Sequence, residues 1–439
     1  MKLNSYSLNN YKTLPQAEKL SAELKEAIDV VGNVFPFKTN NYVVNELIDW
    51  DNVAEDPFFK LTFPQKDMLS KNNYSLMWNT LMGTNNKDII KTTADKIRLQ
   101  LNPHPAGQMD MNVPTINGNS ISGMQHKYKE TVLFFPSQGQ TCHAYCTFCF
   151  RWPQFVGMEG LKFMNKESAT LFEYVKANKE VTDILFTGGD PMIMKAKVFA
   201  SYIEPFLQRR PDNLQSIRIG TKVLSYWPYK FISDDDADEY LNLFERIVKS
   251  GINLSIMAHF SHPRELDTEA AKIAIQKLRA TGVQIRTQSP LLKNINNSPE
   301  IWSEMWRKQV NLNCIPYYMF IPRDTGAQDY FAVTLEDAWK IFREAYQNVS
   351  GICRTVRGPS MSCTPGKVQV LGISEINSTK YFVLRMLQGR NPNWAGRPFF
   401  AKYDPKAIWM DDLVPAFEEK FFFEDELKLM EEISLDKTA

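Results

Sequence analysis

The chain has 439 residues, with 51 basic against 50 acidic side chains and a net charge of +1. A chain of this length can bury one large core or several smaller ones. The balanced charge gives no electrostatic basis for binding nucleic acid or a membrane surface, so we expect neither partner. No apolar run approaches membrane-spanning length, and the first residues lack a signal-peptide core. Six cysteines are too few for a disulfide framework, which favours a cytoplasmic protein.

Residues 1–130 are expected to form a mostly helical N-terminal extension. Apolar residues recur at helical spacing over Gln16–Val31, Asn45–Trp50 and Lys87–Leu101. Two prolines at residues 103 and 105 then end the helical pattern.

From Thr131 onward, short apolar runs alternate with amphipathic helical stretches. The predicted strands are Thr131–Pro136, Asp183–Phe186, Ser216–Ile219, Asn253–Met257, Val283–Arg286 and Cys314–Phe320. The predicted helices that follow them are Lys166–Asn178, Lys195–Gln208, Asp236–Lys249, Thr268–Ala280, Ser298–Val310 and Thr334–Gln347. Such alternation is typical of right-handed βαβ units around a parallel sheet.

The number of these units predicts the fold class. Six units instead of eight indicate an α/β protein with an open, partial (β/α)6 TIM-like barrel over residues 131–350. We expect a C-terminal α+β extension over residues 351–439, where Tyr381–Leu387 is a β-type run. Its aromatic-rich tail is expected to cover the barrel or to form a subunit interface, which favours a homo-oligomer.

Three of the six cysteines lie within eight residues, at Cys142, Cys146 and Cys149. Thiolates are soft ligands that suit iron–sulfur clusters, zinc or copper(I). A cubane cluster has four irons, so three cysteines leave one iron open. An open coordination position is typical of a reactive metal site. The alternative is that three buried structural cysteines have this spacing by chance.

Polar residues follow every predicted strand. In chain order they are Cys142 to Cys149, Gly188-Gly189-Asp190, Gly220-Thr221-Lys222, His259, Gln288-Ser289 and Arg323-Asp324. The carboxyl ends of parallel barrel strands share one face, where barrel enzymes hold their active sites. The sequence therefore predicts a single large active site.

The C-x3-C-x2-C spacing, with Phe148 before the last cysteine, resembles the radical S-adenosylmethionine (SAM) superfamily. The resemblance implies a [4Fe–4S] cluster on the three cysteines and SAM on the open iron. It also implies reductive cleavage of SAM to a 5′-deoxyadenosyl radical, with an electron donor such as flavodoxin or ferredoxin. The run Gly188-Gly189-Asp190 resembles the superfamily's SAM-binding Gly-Gly-Glu motif, although alone it could be an ordinary turn after a strand.

A narrower resemblance, to the lysine 2,3-aminomutase family, covers His126 to Gly372. Its blocks are Cys149–Arg151, Leu185–Pro191, Arg218–Lys222, His259–Pro263, Gln288–Leu292 and Pro316–Tyr318, followed by Pro365–Val368. It implies a 2,3-amino migration on an α-amino acid with pyridoxal 5′-phosphate (PLP). Lys367 would carry PLP, Arg151 would contact the PLP phosphate, and Gln288 would contact a cofactor. Without the resemblance, Lys367 would be an exposed turn lysine.

Departures from the family pattern bear on the substrate. Arg323 stands where the family has the aspartate that clasps the side-chain ammonium of lysine. An arginine would favour a substrate carboxylate, unless it pairs internally with Asp324 or Asp329. Thr131 replaces a second phosphate-side arginine, and Ser298 replaces a cysteine of the family's intersubunit zinc site, so no zinc is expected.

Two other functions remain open at this stage. The first is a radical SAM enzyme that has lost PLP and carries out a different hydrogen abstraction. The second is a non-enzymatic iron–sulfur protein for electron transfer, which would bind a cluster but no SAM.

Overall fold

An eleven-stranded mixed sheet runs through the computed structural model of the chain, which describes residues 1–102, 111–116, 118–157, 163–166 and 168–436. Short elements precede this sheet: β1 Ser5–Ser7, α1 Ala22–Val31, β2 Lys38–Asn40, α2 Pro57–Thr62, α3 Lys71–Gly83 and α4 Lys87–Gln100. The predicted helix over Asn45–Trp50 is wrong, because Val43–Leu47 forms one π-helical turn and the backbone is extended at Ile48. Sequence reasoning also missed α3, where only Tyr74 and Met77 are buried and the apolar pattern is weak.

The strands that lead into and build the barrel follow. They are β3 Thr115–Ile116, β4 Asn119–Ser120, β5 Met124–Tyr128, β6 Thr131–Phe134, β7 Asp183–Phe186, β8 Ser216–Thr221, β9 Asn253–His259, β10 Gln284–Pro290, β11 Ile315–Phe320 and β12 Arg357–Ser362. The helices between them are α5 Ser168–Ala177, α6 Ala196–Gln208, α7 Val223–Tyr226, α8 Ala237–Lys249, α9 Glu269–Ala280, α10 Pro299–Asn311, α11 Gln328–Phe331 and α12 Leu335–Gln347.

The sheet order confirms the α/β barrel class. Strands β6 to β12 are sequential neighbours and pair in parallel, whereas β5 joins β6 antiparallel. Their inward residues and the faces of the surrounding helices share one apolar core. The carboxyl ends of the strands therefore lie along one edge, as the βαβ pattern predicts.

One parallel strand was not predicted. β12 has the sequence RGPSMS, which carries neither apolar alternation nor β-branched residues. Pairing with β11 on one side and with β13 (Gly366–Ile376) on the other nevertheless buries Gly358 to Met361. The barrel sheet is therefore one parallel strand longer than the six predicted units.

The C-terminal residues extend the same sheet. β13, β14 (Thr379–Gly389) and β15 (Pro398–Lys402) pair antiparallel, and α13 (Glu424–Asp436) follows. The aromatic tail packs on this extension: the rings of Phe421 and Phe423 lie 5.4 and 5.9 Å from Phe399. The division at residues 130 and 350 stays a prediction. No helix among the described residues is long and apolar enough to cross a membrane.

Candidate active site

The cysteine loop is held in place by the N-terminal elements. The Tyr145 amide donates to the Lys38 carbonyl at 2.7 Å, and the Thr147 amide donates to the Leu61 carbonyl at 3.0 Å. In return, Lys38 Nζ donates to the Cys142 carbonyl at 2.7 Å. Backbone bonds from outside the loop thus fix the conformation that presents the thiols.

The three thiols fit a cluster better than a single metal ion. No group of three His, Cys, Asp or Glu side chains in the described ranges could hold one metal ion. A cubane cluster does not need its three cysteine ligands to meet at one metal ion, because each cysteine binds a different iron. Burial raises the pKa of all three thiols, to about 12 for Cys146. Without a metal they are neutral, and metal binding would displace their protons.

The Gly-Gly-Asp turn packs directly against the start of the cysteine loop. The Asp190 amide donates to the carbonyls of Gly139 and Thr141, at 3.1 and 2.8 Å. A Cβ on Gly189 would come within 2.6 Å of the Thr141 backbone nitrogen. Gly188 has φ +150°, which favours glycine. The glycines therefore allow close approach of the two predicted cofactor loops to each other. A direct contact with SAM stays a prediction.

The Asp190 carboxylate is engaged by protein donors. Its Oδ1 accepts from Thr221 Oγ1 at 2.6 Å and from the Met192 amide at 2.9 Å, and its Oδ2 accepts from the Lys222 amide at 3.0 Å. Burial raises the pKa of Asp190 to about 6, against the opposing effect of these bonds. Asp190 thus ties the loop after β7 to the loop after β8.

Lys367 lies at the carboxyl edge of the parallel strands. It pairs with Ser362 at the end of β12, across the short turn that joins β12 and β13. Its Nζ lies 4.2 Å from the centre of the Tyr318 ring and donates to Gln388 Oε1 at 3.4 Å. Burial, with smaller contributions from the charges of Arg218 and Arg357, lowers the pKa of Lys367 to about 8.

Arg151 has the features of an anion-binding residue. Its Nε and Nη2 are buried and have no hydrogen-bond partner among the described residues. Its guanidinium lies 4.2 Å from the centre of the Phe135 ring, and burial lowers its pKa to about 10. Buried unpaired arginine nitrogens are costly unless a ligand supplies acceptors. Arg151 therefore has the free donors that an anionic ligand needs, and the PLP contacts of Arg151 and Lys367 stay predictions.

Two further cations interact electrostatically with these residues, Arg323 with Arg151 and Lys127 with Lys367. Arg323 makes no ion pair with a carboxylate in the described ranges, although the nearby Asp324 charge raises its pKa against the larger effect of burial. The predicted alternative of an internal Arg323–Asp ion pair is thus wrong for Asp324 and Asp329. Lys127 Nζ donates to the Cys363 carbonyl at 2.6 Å, and burial lowers its pKa to about 7. The charges of Arg390 and Arg323 act on Lys127 in the same direction.

An internal ion pair joins the neighbouring barrel strands β7 and β8. Arg218 Nε donates to both carboxylate oxygens of Asp183, at 2.8 and 3.0 Å. Thr131, which stands where the family has a second arginine, donates to the same carboxylate at 2.9 Å. Arg218 and Thr131 are therefore both hydrogen-bonded to the Asp183 carboxylate.

Gln288 and His259 lie side by side in the sheet, at the ends of β10 and β9. The backbone carbonyl of Gln288 accepts from the Phe260 amide, and its side chain is half-buried. His259 lies against Phe148 of the cysteine loop, with ring centres 5.5 Å apart. The cofactor contact of Gln288 stays a prediction.

Comparison with known proteins agrees with the motifs. A putative L-lysine 2,3-aminomutase of Aquifex aeolicus is 27% identical over 396 residues, which cover 90% of this chain and 92% of that protein. The chain resembles the lysine 2,3-aminomutases. The L-lysine 2,3-aminomutase of Haemophilus influenzae is 29% identical over 54% of this chain. The glutamate 2,3-aminomutase of Clostridioides difficile is 26% identical over 57% of this chain. The latter matches span only 65% and 56% of the relatives' lengths.

No protein-family model matches this aminomutase-like chain. Among solved structures, a radical SAM methyltransferase from Sphaerobacter thermophilus aligns with a TM-score of 0.39 and 16% identity, over 66% of this chain and 88% of that one. A structure titled as native anSMEcpe with bound AdoMet and a peptide aligns with a TM-score of 0.35 and 12% identity, over 49% of this chain and 58% of that one.

Sequence reasoning missed several residues of this aminomutase-like site. Lys127 lies in β5, directly after the first residue of the resemblance, and the sequence analysis did not single it out. Arg390 lies after β14, and Tyr226, whose hydroxyl oxygen lies 3.7 Å from Cys146 Sγ, ends α7. A search for cations and tyrosines near the predicted strand ends would have found Tyr226. Lys127 and Arg390 had no such signal, because they approach the site through bonds to the Cys363 and Thr364 carbonyls, which are distant in sequence.

Proposed function

We propose that the protein is a radical SAM enzyme that catalyses a PLP-dependent 2,3-amino migration on an α-amino acid. The observation that carries this proposal is that the cysteine loop, the Gly-Gly-Asp turn and the Lys367 amine lie at the carboxyl ends of one set of parallel strands. The aminomutase names of its relatives support the same reaction class.

Each part of the chain has a separate role in this proposal. Cys142, Cys146 and Cys149 hold a [4Fe–4S] cluster, and Gly188 to Asp190 support SAM beside it. Lys367 holds PLP, with Arg151 on the phosphate and Gln288 as a further cofactor contact. When bound, the cluster delivers to SAM one electron from a flavodoxin- or ferredoxin-type donor, and PLP carries the migrating nitrogen.

The protein's own contribution is binding and electrostatics. Burial keeps part of the Lys367 amine neutral near pH 8, as a nucleophile for an aldehyde requires. The unpaired Arg151 nitrogens supply donors for a phosphate. The Tyr318 and Phe320 ring centres lie 4.2 and 5.5 Å from Lys367 Nζ, and these rings would help to shield a reactive radical from water.

The charges favour a substrate with an anionic side chain. Lys127 lies within electrostatic reach of Arg323 and Arg390. None of the three forms an ion pair with a carboxylate among the described residues, although the Asp324 and Glu431 charges act on Arg323 and Arg390, respectively. This arrangement would repel the side-chain ammonium of lysine and would stabilise a carboxylate. Glutamate, the substrate named for one relative, has this chemistry.

Borohydride trapping tests the cofactor set. The protein is reconstituted anaerobically with iron, sulfide and PLP, reduced with borohydride, digested and analysed by mass spectrometry. We expect a pyridoxyl adduct on Lys367, together with reductive cleavage of SAM. SAM cleavage without an adduct would favour the PLP-free radical SAM alternative. A cluster without SAM cleavage would favour the electron-transfer alternative.

Substitution of Arg323 tests the substrate class. Loss of a buried charge partner typically costs about 2–5 kcal/mol. For Arg323→Gln we therefore expect kcat/KM on an anionic α-amino acid to fall by roughly a hundredfold, with no fall on a neutral one. Arg307→Gln, at an exposed arginine that bonds the Asn348 carbonyl, is the matched control. An unchanged ratio of the two substrates in Arg323→Gln would exclude this role.

A further inference from the structure

Tyr226 contacts one of the three clustered cysteines. Its hydroxyl oxygen lies 3.7 Å from Cys146 Sγ, within hydrogen-bond distance for sulfur. The side chain is only 2% exposed, and the hydroxyl has no other hydrogen-bond partner in the part of the chain that the structure describes. The contact joins α7, which follows strand β8 in the chain, to the cysteine loop.

The direction of this bond is fixed once Cys146 binds iron. The free thiol can donate its own proton to the tyrosine oxygen. A coordinated thiolate has no proton, so only the Tyr226 hydroxyl can then donate. The bond becomes O–H to thiolate sulfur, a charge-assisted hydrogen bond in a site from which water is excluded.

The surroundings hold the tyrosine ring in this position. Lys222 Nζ lies 4.6 Å from the centre of the Tyr226 ring, and the same ammonium pairs with Glu265 Oε1 at 2.8 Å. The Asn40 side chain donates to the Tyr226 carbonyl at 2.9 Å and to the His143 carbonyl at 3.1 Å. The Lys222 charge lowers the pKa of Cys146 more strongly than the Glu265 charge raises it, so the ammonium and the Tyr226 hydroxyl both favour the thiolate from this side. Of these groups, the Tyr226 hydroxyl is the one that bonds the sulfur directly.

We propose that Tyr226 raises the reduction potential of the cluster by donating a hydrogen bond to the sulfur of Cys146. The one-electron reduction, by a flavodoxin- or ferredoxin-type donor, adds a negative charge to the cluster and its thiolates. A hydrogen bond to a ligating sulfur stabilises the more negative state, so reduction becomes easier. Tyr226 acts through Cys146 and does not touch the substrate. This inference rests on the proposed function only through the presence of the cluster.

The test is a redox titration of the reconstituted full-length protein, followed by electron paramagnetic resonance. For Tyr226→Phe we expect a more negative midpoint potential, with about a tenfold lower equilibrium constant for reduction, which is about 59 mV for one electron. Tyr240→Phe is the matched control. Tyr240 is also buried under a lysine, with Lys230 Nζ 4.8 Å from its ring centre, but its hydroxyl donates to the Met194 carbonyl at 3.0 Å. The control should leave the potential unchanged.

A second variant tests the same bond in the opposite direction. Tyr226→3-fluorotyrosine keeps the hydroxyl and makes it a stronger donor, so the potential should become more positive. The 3-fluorotyrosine variant also tests the inference if Tyr226→Phe fails to retain the cluster. An unchanged potential in both Tyr226 variants, or an equal shift in Tyr240→Phe, would overturn the inference and leave the proposed function intact. Absence of a cluster from the wild-type protein, measured as iron and sulfide content, would overturn both this inference and the proposed function.

Discussion

Replacement of Cys146 by alanine should remove the cluster and SAM cleavage together. A cubane held by three cysteines loses an iron ligand, and the two remaining thiols cannot hold it against dissociation. Iron and sulfide content after anaerobic reconstitution should fall from about four per chain to background. SAM cleavage under reducing conditions should also fall to background, because no electron then reaches the sulfonium.

A second cysteine provides the control for this loss. Cys353 is buried outside the loop, with its sulfur 3.7 Å from Ser350 Oγ. Cys353→Ser makes a comparable change to a buried thiol and should retain both cluster and SAM cleavage. If Cys146→Ala kept a full cluster, or if Cys353→Ser lost it equally, the C-x3-C-x2-C run would not be the cluster site.

The barrel could be predicted because its signal is local and repeated. The predicted strand over Asp183–Phe186 has the observed bounds, and the strand predicted over Asn253–Met257 lies within the observed β9, which ends at His259. Short apolar runs between amphipathic helices dictate this topology almost independently of loop sequence. β12 was missed because neighbouring strands bury it, and its own residues give no alternation. Tertiary pairing overrides a weak β propensity there.

The candidate site could be predicted only where its functional residues lie close together in the sequence. The cysteine loop and the Gly-Gly-Asp turn are both recognisable as short runs, and the structure bonds one to the other. Lys127 is a single residue without a local pattern, and it meets the Cys363 carbonyl 236 positions away. Such residues cannot be found from spacing, because the fold and not the sequence brings them together.

The N-terminal elements gain a role that composition did not indicate. They were expected to lead into the barrel, yet the carbonyls of Lys38 and Leu61 accept the amides of Tyr145 and Thr147 from the cysteine loop. The loop that holds the thiols has no regular secondary structure of its own. Its order therefore depends on these partners, so residues as far as Leu61 help to fix the predicted cofactor loop.

Replacement of Lys367 by arginine should abolish the PLP-dependent amino migration while SAM cleavage continues. Arginine keeps a cation beside the Tyr318 ring, so the fold should survive, but its guanidinium cannot carry PLP. We expect amino migration to fall by roughly 10⁴-fold, as after loss of a catalytic nucleophile, with SAM cleavage retained. Lys380→Gln, at an exposed lysine of the neighbouring strand β14, is the control and should change neither activity.

The pH dependence of PLP loading tests the same lysine without a mutation. Because burial lowers the Lys367 pKa to about 8, the neutral amine is a minor species below pH 8 and the major one above it. The rate of PLP uptake, followed by absorbance, should therefore rise about tenfold per pH unit below pH 8 and level off above it. A rise that continues to pH 10 would indicate an ordinary exposed lysine.

The Lys367→Arg variant has its own contrary outcome. Retention of amino migration in Lys367→Arg would assign PLP to another residue or remove it from the reaction.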